Sequence, residues 1–150
     1  MIDIIIPNWN GLKFLDACLS SLKQQTNKNF NVIIVDNGST DGSVEFIQSA
    51  YPEMSLITLS ENNGFSVAVN AGIKAGLREW VMLLNNDTEV DPDCIATLLK
   101  NIEEFKGTDF FALKMIDFSD RGKIDGAGDA VLRGGVGYRL GTLENDLELF

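Results

Sequence analysis

The sequence predicts an α/β fold with a mostly parallel sheet and helices on both faces. Short runs such as residues 2–7 and 30–35 are almost continuously apolar, which is typical of strands buried on both faces of a parallel sheet. Between these runs, apolar residues recur at helical spacing. Because strands and helices alternate along the chain, we expect right-handed crossovers that place helices over both faces of the sheet.

The elements are predicted in the following order. Strands are expected at residues 2–7, 30–35, 56–59, 80–84 and 110–116, with a further short strand at 130–132. Helices are expected at residues 12 to about 24, 43–50, 65–77 and about 92–105. The first helix has an apolar stripe formed by Leu12, Leu15, Cys18, Leu19 and Leu22, and the last has one formed by Ile95, Leu98, Leu99, Ile102 and Phe105. The third helix is rich in small residues that allow close packing, namely Ala68, Ala71, Gly72 and Ala75.

Composition excludes several classes of function. The chain has 150 residues and a net charge of −10, so its surface would repel nucleic acid, and it has no apolar run long enough for a transmembrane segment. The absence of histidine excludes His-dependent triads and His-containing zinc sites, which leaves oxygen-ligated Mg²⁺ or Mn²⁺ as the favoured metals. The first strand lacks the features of a signal peptide, and Cys18 and Cys94 are interpreted as buried thiols in a reducing compartment. We therefore expect a cytoplasmic location, with the inner face of the membrane as an alternative.

The composition of the sequence changes near residue 117. Seven glycines are spread through the rest of the chain, which predicts a loop-rich segment over residues 118–150. The chain ends with Leu147, Leu149 and Phe150 and has no polar tail. This ending indicates either a truncated chain or a final element that docks on the core.

Polar breaks follow four of the predicted strands. They lie at residues 8–10, 36–39, 62–64 and 85–87, and each is rich in Asn, Asp or Gly. Because parallel strands end at one edge of a sheet, the four breaks are expected to meet in a polar cleft. Ordinary polar turns are the alternative for any one break taken alone.

Each break contains a group with a possible chemical use. Asp36 could accept a hydrogen bond from a base or a ribose, although a turn carboxylate is the alternative. Asn63 and Gly64 would let the backbone approach a phosphate or a sugar. Asn70 is an unusual amide within a small, apolar helix, and a structural amide is the alternative. Asp87 could bind a cation that bridges two phosphates. A Gly-x-Gly-x-x-Gly dinucleotide motif and a phosphate-binding P-loop are both absent.

In order and spacing, these motifs resemble those of the inverting family 2 glycosyltransferases. The resemblance covers about residues 2–115 and is strongest to rhamnosyltransferase-like members of bacterial polysaccharide synthesis. It rests on Ile-Ile-Ile-Pro-Asn-Trp-Asn at residues 4–10, Val-Asp-Asn-Gly-Ser-Thr-Asp-Gly-Ser at 35–43, Asn-Asn-Gly-Phe at 62–65 with Asn-Ala-Gly at 70–72, and Leu-Leu-Asn-Asn-Asp at 83–87.

The resemblance implies a Rossmann-like, nucleotide-diphospho-sugar-binding fold of the GT-A type. The positions it implies for the nucleotide and donor sugar are Pro7, Asn8, Trp9, Asn10, Asp36, Asn37, Asn63, Gly64, Asn70, Asn85 and Asn86. Asp87 matches the last acid of the Asp-x-Asp metal motif, whereas Asn85 replaces the first acid with a neutral amide. The implied partners are Mg²⁺ or Mn²⁺, a UDP- or dTDP-sugar, and a glycan or lipid-linked acceptor.

The family's catalytic base is not recognisable in this sequence. Asp125, Asp129, Glu144 and Asp146 are acids in the right part of the chain, but none has the expected surroundings, so no base is assigned. We therefore expect one glycosyltransferase domain that is truncated, with residues 1–117 binding the nucleotide-sugar and 118–150 beginning the acceptor side. A nucleotide-sugar-binding module without turnover is the alternative. A sugar nucleotidyltransferase ranks last, because a glycine-rich basic loop after the first strand is missing.

Overall fold

The computed structural model describes residues 1–131 and 137–146 and divides the chain into two compact units. The first unit is Met1–Glu104 and the second is Phe105–Phe150. This division falls earlier than the change of sequence composition near residue 117. Leu132, at the end of the predicted short strand, and the terminal Leu147, Leu149 and Phe150 lie outside the described residues.

The first unit is built on a four-stranded parallel sheet, which confirms the predicted fold class. The strands are β1 (Ile2–Asn8), β2 (Phe30–Asp36), β3 (Ser55–Thr58) and β4 (Trp80–Leu83). Their order in the sheet is β3-β2-β1-β4, so β1 and β2 are central. All three strand pairs are parallel, and the four carboxyl ends therefore lie along one edge.

Helices flank both faces of this sheet. The helices are α1 (Leu12–Lys23), α2 (Ser43–Ala50), α3 (Phe65–Ala75) and α4 (Cys94–Glu104). The chain passes from β1 to β3 in one direction and then returns to β4 on the far side of β1. Right-handed crossovers consequently place α1 and α2 on one face and α3 on the other. In agreement, α1 contacts α2, and α3 packs on β1 and β2.

The core follows the alternation of side chains along the strands. Ile5, Ile33 and Val35 are buried against Ala68 of α3. Gly72 of α3 lies so close to β1 that a Cβ there would overlap Cγ2 of Ile5 and lie 3.1 Å from Cγ2 of Val35. The small residues of α3 thus allow the close helix–sheet contact that their composition indicates.

A buried carboxylate in β1 had no role in the sequence-based prediction. Asp3 is fully buried and accepts hydrogen bonds from the backbone N–H groups of Leu77 (2.7 Å) and Arg78 (2.8 Å). Asn31 of β2 donates to the same side chain at 3.3 Å. Asp3 therefore holds the connection between α3 and β4, which compensates for placing a polar group in the core.

Two details of the prediction are wrong. No strand forms over residues 108–114, and Met115–Ile116 instead form a two-residue strand, β5, that pairs antiparallel with β6 (Ile124–Gly126). Phe110 is 90% exposed, so the apolar run does not enter a sheet core there. Phe105 lies beyond the end of α4 and is 53% exposed, although it was expected on the buried face of that helix.

The second unit consists of short antiparallel pairings. Besides β5 and β6, it contains β7 (Asp129–Val131) and β8 (Gly137–Arg139), which pair with each other. Among the described residues of the second unit, Ile124 has a fully buried side chain. Within the part of the chain that the structure describes, no helix has both the length and the hydropathy needed to cross a membrane.

One carboxylate caps two helices of the first unit. Asp41 accepts from the N–H of Leu12, at the start of α1 (2.9 Å), and from the N–H of Ser43, at the start of α2 (3.1 Å). The Ser43 hydroxyl also donates to it at 2.6 Å. Burial acts to raise the pKa of Asp41, but these hydrogen bonds outweigh burial and lower the pKa below its ordinary value.

Replacing Gly72 should test the close approach of α3 to the sheet. We expect Gly72→Ala to lower the free energy of unfolding by about 1–3 kcal/mol, because Ile5 and Val35 have branched, stiff side chains at the clash. Alanine has a better helix propensity than glycine, which by itself would raise the free energy of unfolding. A net decrease would therefore show that the clash outweighs the gain in propensity. Urea denaturation measures it, with exposed Ser66→Ala in the same helix as the control. A stabilised Gly72→Ala protein would show that the contact is loose.

The capping role of Asp41 predicts a pH-dependent stability. Because its pKa is lowered in the folded state, the carboxylate contributes stability above its ordinary pKa, and this contribution is lost as the pH falls through the folded-state value. We expect Asp41→Ala to cost about 1 kcal/mol at neutral pH and less at about pH 2.5. Urea denaturation at both pH values measures the difference. An equal cost at both would contradict the assignment.

Candidate functional site

A polar cleft of about 280 Å³ opens at the carboxyl edge of the sheet. Residues from all four polar breaks line it, so the structure brings them together as the parallel topology predicts. The lining residues are Pro7, Asn8, Trp9, Asn37, Asn62, Phe65, Asn85, Asn86 and Asp87. Trp9 and Phe65 are 55% and 58% exposed, and they provide large apolar surfaces beside the polar groups.

The ends of β1 and β2 are joined through Asp36. Asn8 lies opposite Asp36 in the strand register, and its Nδ2 donates to Oδ2 of Asp36 at 2.8 Å. The backbone N–H of Ser39 donates to the other carboxylate oxygen at 2.9 Å. Both Asn8 and Asp36 are only 1% exposed. Asp36 is therefore held in a fixed orientation by the protein itself.

The turn after β1 is attached to the turn after β2. Asn10 has a left-handed backbone conformation with φ 49°, which asparagine tolerates better than most residues. Its Oδ1 accepts from the N–H of Thr40 at 2.8 Å, and its own N–H donates to Oγ of Ser39 at 2.9 Å. Asn10 thus positions the turn, although it is not among the residues that line the cleft.

Asn37 connects β2 to the loop before α3. Its Nδ2 donates to Oδ1 of Asn62 (2.9 Å) and to the carbonyl of Gly64 (3.2 Å), and its Oδ1 accepts from the N–H of Asn63 (3.1 Å). Gly64 has φ 86°, and nothing lies within 4 Å of the position a Cβ would take. The structure therefore leaves room for a ligand to approach the backbone at Gly64.

Two lining residues were missing from the predicted site. Asn62 belongs to the third polar break, and the Asn-Asn-Gly sequence indicates it as strongly as its predicted neighbours Asn63 and Gly64. Phe65 begins α3, and its signal in the sequence was its place in the Asn-Asn-Gly-Phe motif at residues 62–65. Conversely, Asn70 is exposed on α3 and does not line the cleft. Its predicted role as a substrate-binding residue stays a prediction.

The loop after β4 carries the charged group of the cleft. Asp87 is exposed and is the charged residue among the nine that line the cleft. Asn85 is also exposed, and the Thr88 hydroxyl donates to its carbonyl at 2.7 Å. Across the described residues, no group of three or more His, Cys, Asp or Glu side chains is placed to hold a metal. A cation here would therefore need oxygen ligands from a substrate, as Mg²⁺ sites at phosphates commonly do.

A buried thiol supports this loop from behind. Cys18 of α1 lies 3.7 Å from the carbonyl oxygen of Asn85, toward which its thiol points as a weak donor. Burial, followed by the charge of the nearby Asp87 carboxylate, raises the pKa of Cys18 to about 12, against an opposing hydrogen bond with Thr88. Burial, followed by the charge of Asp91, also raises the pKa of Cys94. These are the properties of structural thiols rather than nucleophiles.

A sequence model described as "Glycosyl transferase family 2" matches residues 3–132, which is most of the chain. The chain belongs to glycosyltransferase family 2. This member is 34% identical over 108 residues to the glycosyltransferase GlyA of Streptococcus pneumoniae, a match that covers 70% of this chain. It is also 34% identical over 110 residues to a teichoic acid poly(glycerol phosphate) polymerase of Staphylococcus epidermidis, which covers 71% of this chain.

Solved structures show that the family 2 chain has the GT-A type of fold. S. aureus TarS 1-349 in complex with UDP-GlcNAc gives a TM-score of 0.64 at 22% identity, over 79% of this chain and 38% of that one. The mannosyltransferase PcManGT from Pyrobaculum calidifontis, in complex with GDP-Man and Mn²⁺, gives 0.61 at 22% identity, over 67% of this chain and 32% of that one.

The matched region is a small part of its relatives. The family 2 chain spans 15% of the length of GlyA and 15% of the teichoic acid polymerase. The matched region therefore has the family's fold and belongs to the family. The reaction, its substrates and its partners are proposed below.

Proposed function

We propose that the chain provides the donor-binding part of a glycosyltransferase that moves a sugar from a nucleotide-diphospho-sugar to a hydroxyl acceptor with inversion of configuration. The observation that carries this proposal is that the four polar breaks, each with at least one Asn in the lining, meet in one cleft that has a single carboxylate at one side. A ligand with a base, a ribose, phosphates and a sugar presents many hydrogen-bonding groups, which suits such a cleft.

In this proposal the base and ribose bind near Asp36 and the diphosphate near Asp87. Asp36 offers buried, fixed acceptor oxygens, which suit the N–H groups of a base or the hydroxyls of a ribose. Asp36 lines a second cleft of about 510 Å³, not the first one, and this second cleft offers room for these groups. Asn37, Asn62 and the open backbone at Gly64 would face the middle of the donor.

The electrostatics of the cleft favour a donor that binds together with Mg²⁺ or Mn²⁺. None of the nine described lining residues is Lys or Arg, so the protein offers no cation there to a diphosphate. Asp87 and the amide oxygen of Asn85 are hard oxygen ligands of the type that these metals prefer. When bound, the cation would neutralise the diphosphate and stabilise it as a leaving group. The presence of Mn²⁺ in PcManGT supports this proposal.

The remaining parts of the reaction are proposed from the family resemblance. A base from the acceptor side would deprotonate the acceptor hydroxyl, which then attacks the anomeric carbon in line. The proposed donor is a UDP- or dTDP-sugar, with a rhamnosyl donor as one candidate, and the acceptor is a glycan or a lipid-linked glycan of bacterial polysaccharide or cell-surface synthesis. The proposed location is the cytoplasm, at or near the inner face of the membrane.

A second candidate function is a nucleotide-sugar-binding module without turnover. The observation that favours it concerns the acids of the second unit. Asp125 is paired with Arg139 at 3.0 Å, and Asp146 is paired with Lys114 at 2.9 Å. Both carboxylates are thus already engaged in ion pairs within the second unit. No base is assigned to the described residues.

Nucleotide titrations test the proposed function. We expect UDP or dTDP to bind at least about tenfold more tightly with Mn²⁺ than in EDTA, because the cleft lacks a cation of its own. Asp87→Asn should remove most of this metal dependence. Glu89→Gln, which makes the same change of charge at a residue that does not line the cleft, should retain it. Isothermal titration calorimetry measures all three proteins.

Two results would contradict the proposal at different points. If neither nucleotide binds with or without metal, the cleft is not a donor site. If binding keeps its full metal dependence in Asp87→Asn, the cation is held elsewhere. Once binding is established, release of nucleotide from UDP-N-acetylglucosamine or dTDP-rhamnose distinguishes a transferase from a binding module.

A further inference from the structure

Three side chains at the strand ends form a hydrogen-bonded series that runs across the sheet. Asp36 at the end of β2 accepts from Nδ2 of Asn8 at the end of β1, at 2.8 Å. Oδ1 of Asn8 accepts in turn from Nδ2 of Asn86, in the loop after β4, at 2.7 Å. We call these three residues the amide relay. It joins the proposed base side of the cleft to the loop that carries Asp87.

The hydrogen bonds of the relay can have only one donor-to-acceptor direction. A carboxylate accepts hydrogen bonds and does not donate them, so Asn8 has to turn its NH₂ group toward Asp36. Its second N–H faces Oγ of Ser39 at 3.3 Å, so both donors of Asn8 are used within the protein. Asn8 then presents its carbonyl oxygen to Asn86, which has to offer its own NH₂ group. The carboxylate of Asp36 consequently determines which way the amide of Asn86 faces.

Gly11 provides independent evidence that this arrangement is built into the fold. A Cβ on Gly11 would overlap Nδ2 of Asn86 and lie 2.5 Å from Oδ1 of Asn8, so it would fall on the hydrogen bond that joins them. The backbone of Gly11 has φ −106°, a value that any residue adopts. Space for the relay, rather than backbone conformation, therefore requires glycine here.

We propose that Asn8 is a positioning residue, whose buried amide aligns Asn86 and the adjacent Asp87 with the base side of the cleft. This inference rests on the proposed function, and it changes the predicted role of Asn8 from a direct substrate contact to an indirect one. Asn8 is 1% exposed and has no N–H left for a ligand, whereas Asn86 retains its carbonyl oxygen and one N–H. The relay thereby makes metal-assisted binding of the diphosphate depend on a residue that does not bind the metal.

The test compares UDP affinity in Mn²⁺ with UDP affinity in EDTA, as a ratio for each variant. Gly11→Ala keeps every hydrogen-bonding group but displaces Asn86, and Asn8→Leu removes the relay at similar volume. We expect the ratio to fall about tenfold in both, because a hydrogen bond of the relay is lost while Asp87 is retained. A general loss of stability would weaken both affinities alike and leave the ratio unchanged.

Asn31→Leu is the matched control. Asn31 donates to Asp3 across the same two strands at their opposite ends, so this variant also removes an Asn–Asp pair between β1 and β2. Its ratio should stay within about twofold of the wild-type value, because the relay is intact. Circular dichroism melting shows which variants are folded, and Gly11→Ala serves alone if Asn8→Leu does not fold.

The outcomes separate this inference from the proposed function. If the wild-type chain binds UDP with metal dependence and Gly11→Ala retains the full ratio, the positioning role of Asn8 is wrong and the donor site stands. An equal fall in Asn31→Leu would also overturn the role, because the effect would then be one of general stability. If the wild-type chain does not bind UDP, the proposed function and this inference fail together.

Discussion

The parallel register of β1 and β2 is the constraint on which the site depends. The two strands pair along their whole length and end together at Asn8 and Asp36, which face each other as the last pair. Because β3 and β4 flank this pair in parallel, their following loops reach the same edge. A shift of one residue in the register would turn Asn8 and Asp36 to opposite faces and separate them. The hydrophobic core therefore sets the geometry of the polar cleft above it.

The same two strands carry an Asn–Asp pair at each end, and the two pairs have different consequences. Asp3 and Asn31 lie at the amino ends, where the buried carboxylate holds the connection between α3 and β4. Asn8 and Asp36 lie at the carboxyl ends, where loops leave the sheet and a cleft remains. The Asn–Asp pair at the amino ends is thus structural, because the chain covers it. The Asn–Asp pair at the carboxyl ends lies beside an open cleft, where a ligand has room to bind.

Much of this organisation follows from local sequence. Buried strands, helical stripes and strand-end polar breaks are short-range patterns, and parallel topology then brings the breaks together, so the fold class and most of the cleft were predictable. The strand expected at residues 110–116 was wrong because apolar character alone does not supply a neighbouring strand, which is a long-range property. The hydrogen-bond partners of a side chain are likewise a long-range property. The sequence pattern therefore did not show that Asn8 is buried within the relay whereas Asn37 bonds to the loop before α3.

In the proposed binding mode, a donor diphosphate and its metal bind at the β4 end of the cleft while the base lies at the β2 end. Paramagnetic broadening of backbone amide signals by Mn²⁺, recorded by NMR in the presence of UDP, tests this claim most directly. We expect the strongest broadening at residues 85–88, and chemical-shift changes without strong broadening at residues 36–39. Broadening centred on another part of the chain, or equally strong without UDP, would contradict it.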